Sequence, residues 1–283
     1  MGNKINVFVD GSAYSPVVCD YAAWLASSDD QIELVHLLED KDKAESNLSG
    51  AIGLGARTNI LTQLAKLDEE RAKLEMAHGR EILADAKARV SAGTGANVTE
   101  NLRRGDLVES IKVLDADADL FMIGKRGEDH QAGSSPIGSN IEALVRASTK
   151  PVFIANRAFT KPQNFIVAFD GGDSSTRALQ KLEAMPVGSD ALPITILVVK
   201  DGVRDVSAQA QSHQTRIQAT GRSASLLVQT GQREEEIVKA VSQIEAPVLV
   251  MGAYGHSRIR RWFIGSTTTN MIQQCKVPLL LFR

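Results

Sequence analysis

The residues best suited to chemistry lie between Pro247 and Gln274. Gly252 and Gly255 open a short glycine loop, nine residues follow, and then comes Gly265-Ser266-Thr267-Thr268-Thr269. Glycines let backbone N–H groups come close to an anion. Ser266, Thr267 and Thr268 add hydroxyl donors, and a helix starting there would add unpaired N–H groups and partial positive charge. Phosphate binding is the chemistry these types and spacings can do. A tight turn with Ser266 as an N-cap accounts for the same residues. The loop is not a P-loop, because no Gly-Lys-Ser/Thr closes it, and its glycines are too far apart for a dinucleotide fingerprint. His256, Arg258, Arg260 and Arg261 lie inside it. They offer either a cation for a terminal phosphate or a solvated basic surface. Trp262 and Phe263 are expected to pack the loop onto the body.

No catalytic set accompanies this loop. The five histidines are scattered, and neither a Ser-His-acid arrangement nor a metal-ligand motif can be argued from spacing. No cluster of carboxylates marks a site for a divalent metal.

The elements that must position the loop are legible in the apolar pattern. Val248-Leu249-Val250-Met251 is a buried strand leading into it. Upstream, strands are expected at Ile5–Val9, Ile32–Leu38, Val98–Arg103, Asp119–Ile123 and Pro151–Ala155. Helices alternate with them at Tyr14–Ala26, Ile60–Val90, Asp106–Val113 (with Asp106 as N-cap) and Gly138–Ala147. Leu61, Leu64, Leu67, Leu74, Ile82 and Leu83 give the long second helix an apolar stripe, which the spacing places over one side of the sheet. Ser46–Asn59 reads as a glycine-rich loop. After a polar linker, Asn156–Gln163, the order restarts. Asn164–Phe169 ends at Asp170-Gly171 as the first strand ends at Asp10-Gly11. Strands Ile194–Val199, Ala224–Gln229 and Val277–Phe282 complete the second round. Alternating strands and helices, repeated once, mean a duplicated doubly wound α/β unit. A ligand belongs at the carboxyl ends of such strands, where the strand order reverses. The final strands, Pro151–Ala155 and Val277–Phe282, are edges on which the two units can pair.

Gly-x-x-Gly, nine residues, then Gly-Ser resembles the nucleotide loop of the universal stress proteins, and the repeat resembles their bacterial tandem type. The resemblance implies two tandem parallel five-stranded sheets of the adenine-nucleotide alpha-hydrolase-like fold, strand order 3-2-1-4-5, with domains over 1–156 and 164–283. It implies that the second domain binds ATP, with Mg or Mn. Asp170 would contact the base or ribose, Ala168 and Phe169 would lend backbone contacts to the base, and Val199 would lie against adenine. Met251 would line the pocket. Gly252, Gly255, Gly265, Ser266, Thr267 and Thr268 would hold ribose and phosphates. An acidic cap on the following helix is the other reading of Asp170. The implied role is a regulatory stress-response protein with at most slow hydrolysis or autophosphorylation. An ATP-consuming enzyme and an apolar-ligand carrier or scaffold are the competing classes.

The first half departs from the pattern. Gly124-Lys125-Arg126-Gly127 is followed by ten residues and then Gly138-Ser139-Asn140-Ile141, one residue longer than the second loop and stiffened by Pro136. Ile141 replaces a hydroxyl and is expected to offer an apolar surface, whereas Lys125 and Arg126 could pair with phosphate. The first half therefore reads as an altered site, with an apolar or lipid-like ligand as the alternative.

Composition narrows the partners. With 283 residues and a net charge of −2, no global field draws the chain to nucleic acid or an anionic membrane. Cys19 and Cys275 have no zinc or disulfide spacing and read as buried thiols. Without a signal-peptide pattern or a membrane-length apolar run, the cytoplasm is expected. Association into a homodimer is compatible with the fold.

Overall fold

The computed structural model describes residues 2–38, 54–125, 139–184, 191–200, 202, 205–253 and 266–283. In the first half, strands β1 (Lys4–Phe8), β2 (Gln31–Leu38), β3 (Asn97–Arg104), β4 (Leu120–Gly124) and β5 (Val152–Ala155) alternate with helices α1 (Ser15–Leu25), α2 (Leu54–Gly93), α3 (Leu107–Leu114) and α4 (Ser139–Ala147). The second half repeats the order. Its strands are β6 (Asn164–Ala168), β7 (Ile194–Lys200), β8 (Ala224–Thr230), β9 (Pro247–Gly252) and β10 (Leu279–Phe282). Its helices are α5 (Asp173–Ala184), α6 (Ser207–Ala219), α7 (Arg233–Gln243) and α8 (Ser266–Gln274).

The five-stranded units join into one ten-stranded sheet, β3-β2-β1-β4-β5-β10-β9-β6-β7-β8. Each half keeps the expected 3-2-1-4-5 order with parallel neighbours. The seam is antiparallel: β10 pairs with β5, with Leu279 facing Ile154 and Leu281 facing Val152. The two final strands thus cover each other's edges. Two apolar layers sandwich the sheet. One gathers side chains of α1, α2, α5 and α6, the other those of α3, α4, α7 and α8, and each runs across both halves. Strand alternation feeds both layers, as in β1, where Ile5 and Val7 face one and Phe8 the other.

Reciprocal caps lock the seam. Asn156 and Arg283 each follow the last strand of a unit. Asn156 Nδ2 donates to Lys276 O just beyond α8 at 2.8 Å, and Arg283 donates to Arg146 O and Ser148 O at the end of α4, at 3.1 and 2.9 Å. Lys125, which follows β4, donates to Gln273 O and Cys275 O at 3.1 and 2.8 Å. The last carbonyls of α4 and α8 therefore each receive a cation from the other unit, where the helix dipole favours one.

Two expectations change. Residues 54–59 are helical rather than loop, while 46–53 lie outside the described residues. The long stripe of α2 is not buried throughout: Leu64, Leu67 and Leu74 are exposed, Leu74 by 71%. From residue 62 onward the first buried position of α2 is Gly79, where an added Cβ would meet Leu102 and His36 at 2.8 and 2.9 Å. Beyond that point Leu83, Ala86 and Val90 are buried. The sheet is too narrow to cover a helix of 40 residues, so periodicity alone overstates the buried length.

Candidate functional site

The expected site residues gather where β6 and β9 end side by side. Their parallel register sets Ala168 beside Met251. β6 leaves the sheet at Phe169, whose N–H donates to Leu197 O at 2.9 Å. The Phe169 ring is buried and meets His213 of α6 edge-on, with centroids 5.4 Å apart, so the side chain belongs to the core. Gly171 follows with φ of 72°, a left-handed turn that glycine adopts without strain.

Asp170 organises that turn. Its Oδ1 accepts the Gly172 N–H at 2.9 Å and the Ser175 hydroxyl at 2.6 Å. It is an Asx turn lying before α5, not the helix cap itself. The first half builds the same turn, with Asp10 Oδ1 accepting from Ser12 N at 3.0 Å and Ser15 Oγ at 2.9 Å. The role of Ser15 and Ser175 was missed in the sequence. The signal was present, since both halves read Asp-Gly, three intervening residues, then serine.

On the β9 side, Gly252 is glycine for a packing reason. A Cβ there would lie 2.9 Å from Ser174 Cβ, so the strand end lies directly against the first turn of α5. Met251 is buried against the second apolar layer. Helix α8 starts at Ser266, so the hydroxyl residues occupy its first turn. Ser266 is exposed. Thr267 Oγ1 donates to Glu234 Oε1 at 3.0 Å, tying α8 to α7. Thr268 is buried, and its hydroxyl donates to Gly252 O at 3.1 Å, holding the helix to the strand end. Gly255 and Gly265, with His256, Arg258, Arg260, Arg261, Trp262 and Phe263, lie outside the described residues.

A cleft of about 810 Å3 opens beside these residues. Its walls are Lys200 and Gly202 beyond β7, Thr230 and Gly231 beyond β8, the first turn of α7 from Arg233 to Glu234, and Thr267. Two helix N-termini thus face one hollow, with Lys200 and Arg233 as cations and Glu234 as an anion. Lys200 pairs with Asp205 at 2.8 Å. That ammonium, with the Ser207 N–H, holds the Asp205 carboxyl well below its usual range. Lys200, Arg233 and Glu234 were not singled out in the sequence, because nothing local shows that β7, β8 and α8 end at one place. Val199, the expected adenine neighbour, lies across from Gln229 in the same rim. Among the described residues no group of three His, Cys, Asp or Glu side chains gathers to hold a metal.

In the first half, Ile141 and Lys125 do not take the parts expected of them. Ile141 offers no apolar surface to a ligand: it is 1% exposed and sits in the core, as does Thr268 at the corresponding place in α8. Lys125 is committed to the end of α8. Arg126, Gly127, Pro136 and Gly138 lie outside the described residues.

The fold defines a duplicated, mostly parallel α/β protein with an open cleft at the carboxyl ends of strands in its second half. The universal stress protein family model matches residues 1–156 and 162–283, and the chain belongs to that family. It is 32% identical over 286 residues to universal stress protein Slr1230 of Synechocystis sp., with 99% of each chain covered. Among solved structures it resembles a universal stress protein from Archaeoglobus fulgidus, with TM-score 0.72, 18% identity and 99% and 98% of the two chains covered. A functionally unknown protein from Pseudomonas aeruginosa matches at TM-score 0.58 and 14% identity, covering 99% and 92%. No described helix is long and apolar enough to cross a membrane.

Proposed function

We propose that the second unit binds ATP and that the protein acts in the cytoplasm as a nucleotide-responsive regulatory protein of the stress response. The observation that carries this reading is the meeting of the β6 and β9 ends with the first turn of α8, next to a cleft that holds two cations. The backbone at Ala168 and Phe169, with Val199, would take the base. Asp170, through its turn, would set the ribose edge. Gly252, Gly255 and Gly265, with Ser266 and Thr267, would approach the phosphates, helped by Lys200 and Arg233. Thr268 would act indirectly, by holding α8 in place. A Mg or Mn ion would be held mainly by the phosphates, with Glu234 the carboxylate nearest Thr267.

Calorimetric titration of Mg-ATP into the full chain tests this. One site per chain is expected, lost in Gly265→Val and weakened severalfold in Arg233→Ala. No binding to the wild type would overturn the nucleotide reading. Two sites would show that the first-half loop binds as well.

A further inference from the structure

The ten-stranded sheet has two outer edges, and they are built differently. β3 carries Glu100, Arg103 and Arg104, and Glu100 pairs with Lys87 at 3.1 Å. Charges on an edge discourage pairing with another strand. β8, at the other end, reads Ala224-Ser-Leu-Leu-Val-Gln-Thr230, seven residues without charge or proline. Among the described residues no strand lies beyond it. Val228 is 40% exposed.

We propose that β8 is a docking edge for a second copy of this chain, paired antiparallel about Leu227. The backbone phase supports that register. Ile194 donates to Ser223 O and Gly231 donates to Lys200 O, so the odd-numbered residues of β8 turn their amides and carbonyls toward β7. Leu226 and Val228 turn theirs outward. The Ala224 carbonyl is already taken by Gln214 and Gln218 of α6, at 3.1 and 2.8 Å. With the two-fold axis at Leu227, Leu226 of one copy stands opposite Val228 of the other. These are the residues whose outward groups need partners.

The side chains are self-complementary in the same register. Leu227 meets its own copy, Leu226 meets Val228, and Ser225 meets Gln229. Apolar pairs occupy the centre, hydrogen-bonding pairs flank them, and no like charges oppose. Arg222, the nearest flanking cation, is buried and bonded to Leu192 O and Leu182 O, so it does not repel a partner. The molecule already uses this kind of contact once, at the antiparallel seam between β5 and β10. The second copy would extend the sheet by the same device.

Light scattering on size-exclusion fractions of the full chain is the test, run over a range of concentrations. The expected mass is twice the 30.5 kDa of one chain, falling to one chain in Val228→Lys. Val228 is exposed enough for the lysine to leave folding intact, which circular dichroism checks. Cross-linking then fixes the register. Leu227→Cys places two thiols on the axis, where opposed Cα atoms lie about 4.5 Å apart, and a disulfide should form on mild oxidation. Ser225→Cys leaves its copies roughly 13 Å apart and should not cross-link. A monomer at all concentrations would overturn the proposal. So would a dimer that survives Val228→Lys, or one that cross-links as well through Ser225→Cys.

Discussion

Asn6 shows what a single residue can cost in this sheet. It is fully buried in the central strand of the first unit, and neither side-chain polar atom has a hydrogen-bond partner among the described residues. Ile166 occupies the corresponding place in the second unit and is equally buried. Asn6→Ile is expected to stabilise the protein by about 1–3 kcal/mol, the usual penalty of an unsatisfied buried polar group, as a rise in the urea midpoint. Gly252→Ala should do the opposite. Its new Cβ would press on Ser174, and overpacking of that kind costs about 1–3 kcal/mol. The thiols belong to the same scale. Burial pushes Cys19 up to about 12 and Cys275 up to about 11, although Lys125 opposes the second shift. Neither should react with a thiol reagent at neutral pH until the protein unfolds.

At the scale of elements, helix ends and turns are held by side chains from far along the chain. Lys125→Gln is expected to lose about 0.5–1.5 kcal/mol by uncapping α8, measurable by urea denaturation. Two turns carry acid sensitivity. Burial alone would raise the Asp30 carboxyl. The Ser27 and Asn3 N–H groups, with their side chains, outweigh burial and hold it below 3.8. In Asp115, burial is likewise outweighed, first by the Thr149 and Ser148 hydroxyls. A lowered folded value means the stabilisation is complete above the unfolded value and lost as pH falls through the folded one. Asp115→Asn should therefore be less stable than the wild type at pH 7, with the gap closing below about pH 3.8. Element types were largely legible in the sequence. The Asp106 cap is as expected, accepting from Val108 and Glu109 N–H. The exposed leucines of α2 were not legible, because periodicity reports a face and not whether anything lies against it.

For the whole molecule, the seam between β5 and β10 and the shared apolar layers couple the units. Unfolding in urea should be one transition by circular dichroism, coincident with the fluorescence of Trp262→Phe, whose remaining Trp24 lies in the first unit. Leu281→Pro removes an amide that faces β5 and should separate the two signals. By itself the sequence determined the duplication, the alternation of strands and helices, the crevice end of the sheet and the residues that turn there. These are local: period, glycine and cap are properties of neighbours along the chain. Only the tertiary structure decided that two sheets become one and that Lys125 serves a helix rather than a phosphate. It alone decided that Thr268 faces a strand end and that Lys200, Arg233 and Thr267 share a cleft. Those facts depend on which distant carbonyls, cations and strand edges the packing brings within a few ångströms, and no spacing along one chain encodes that directly.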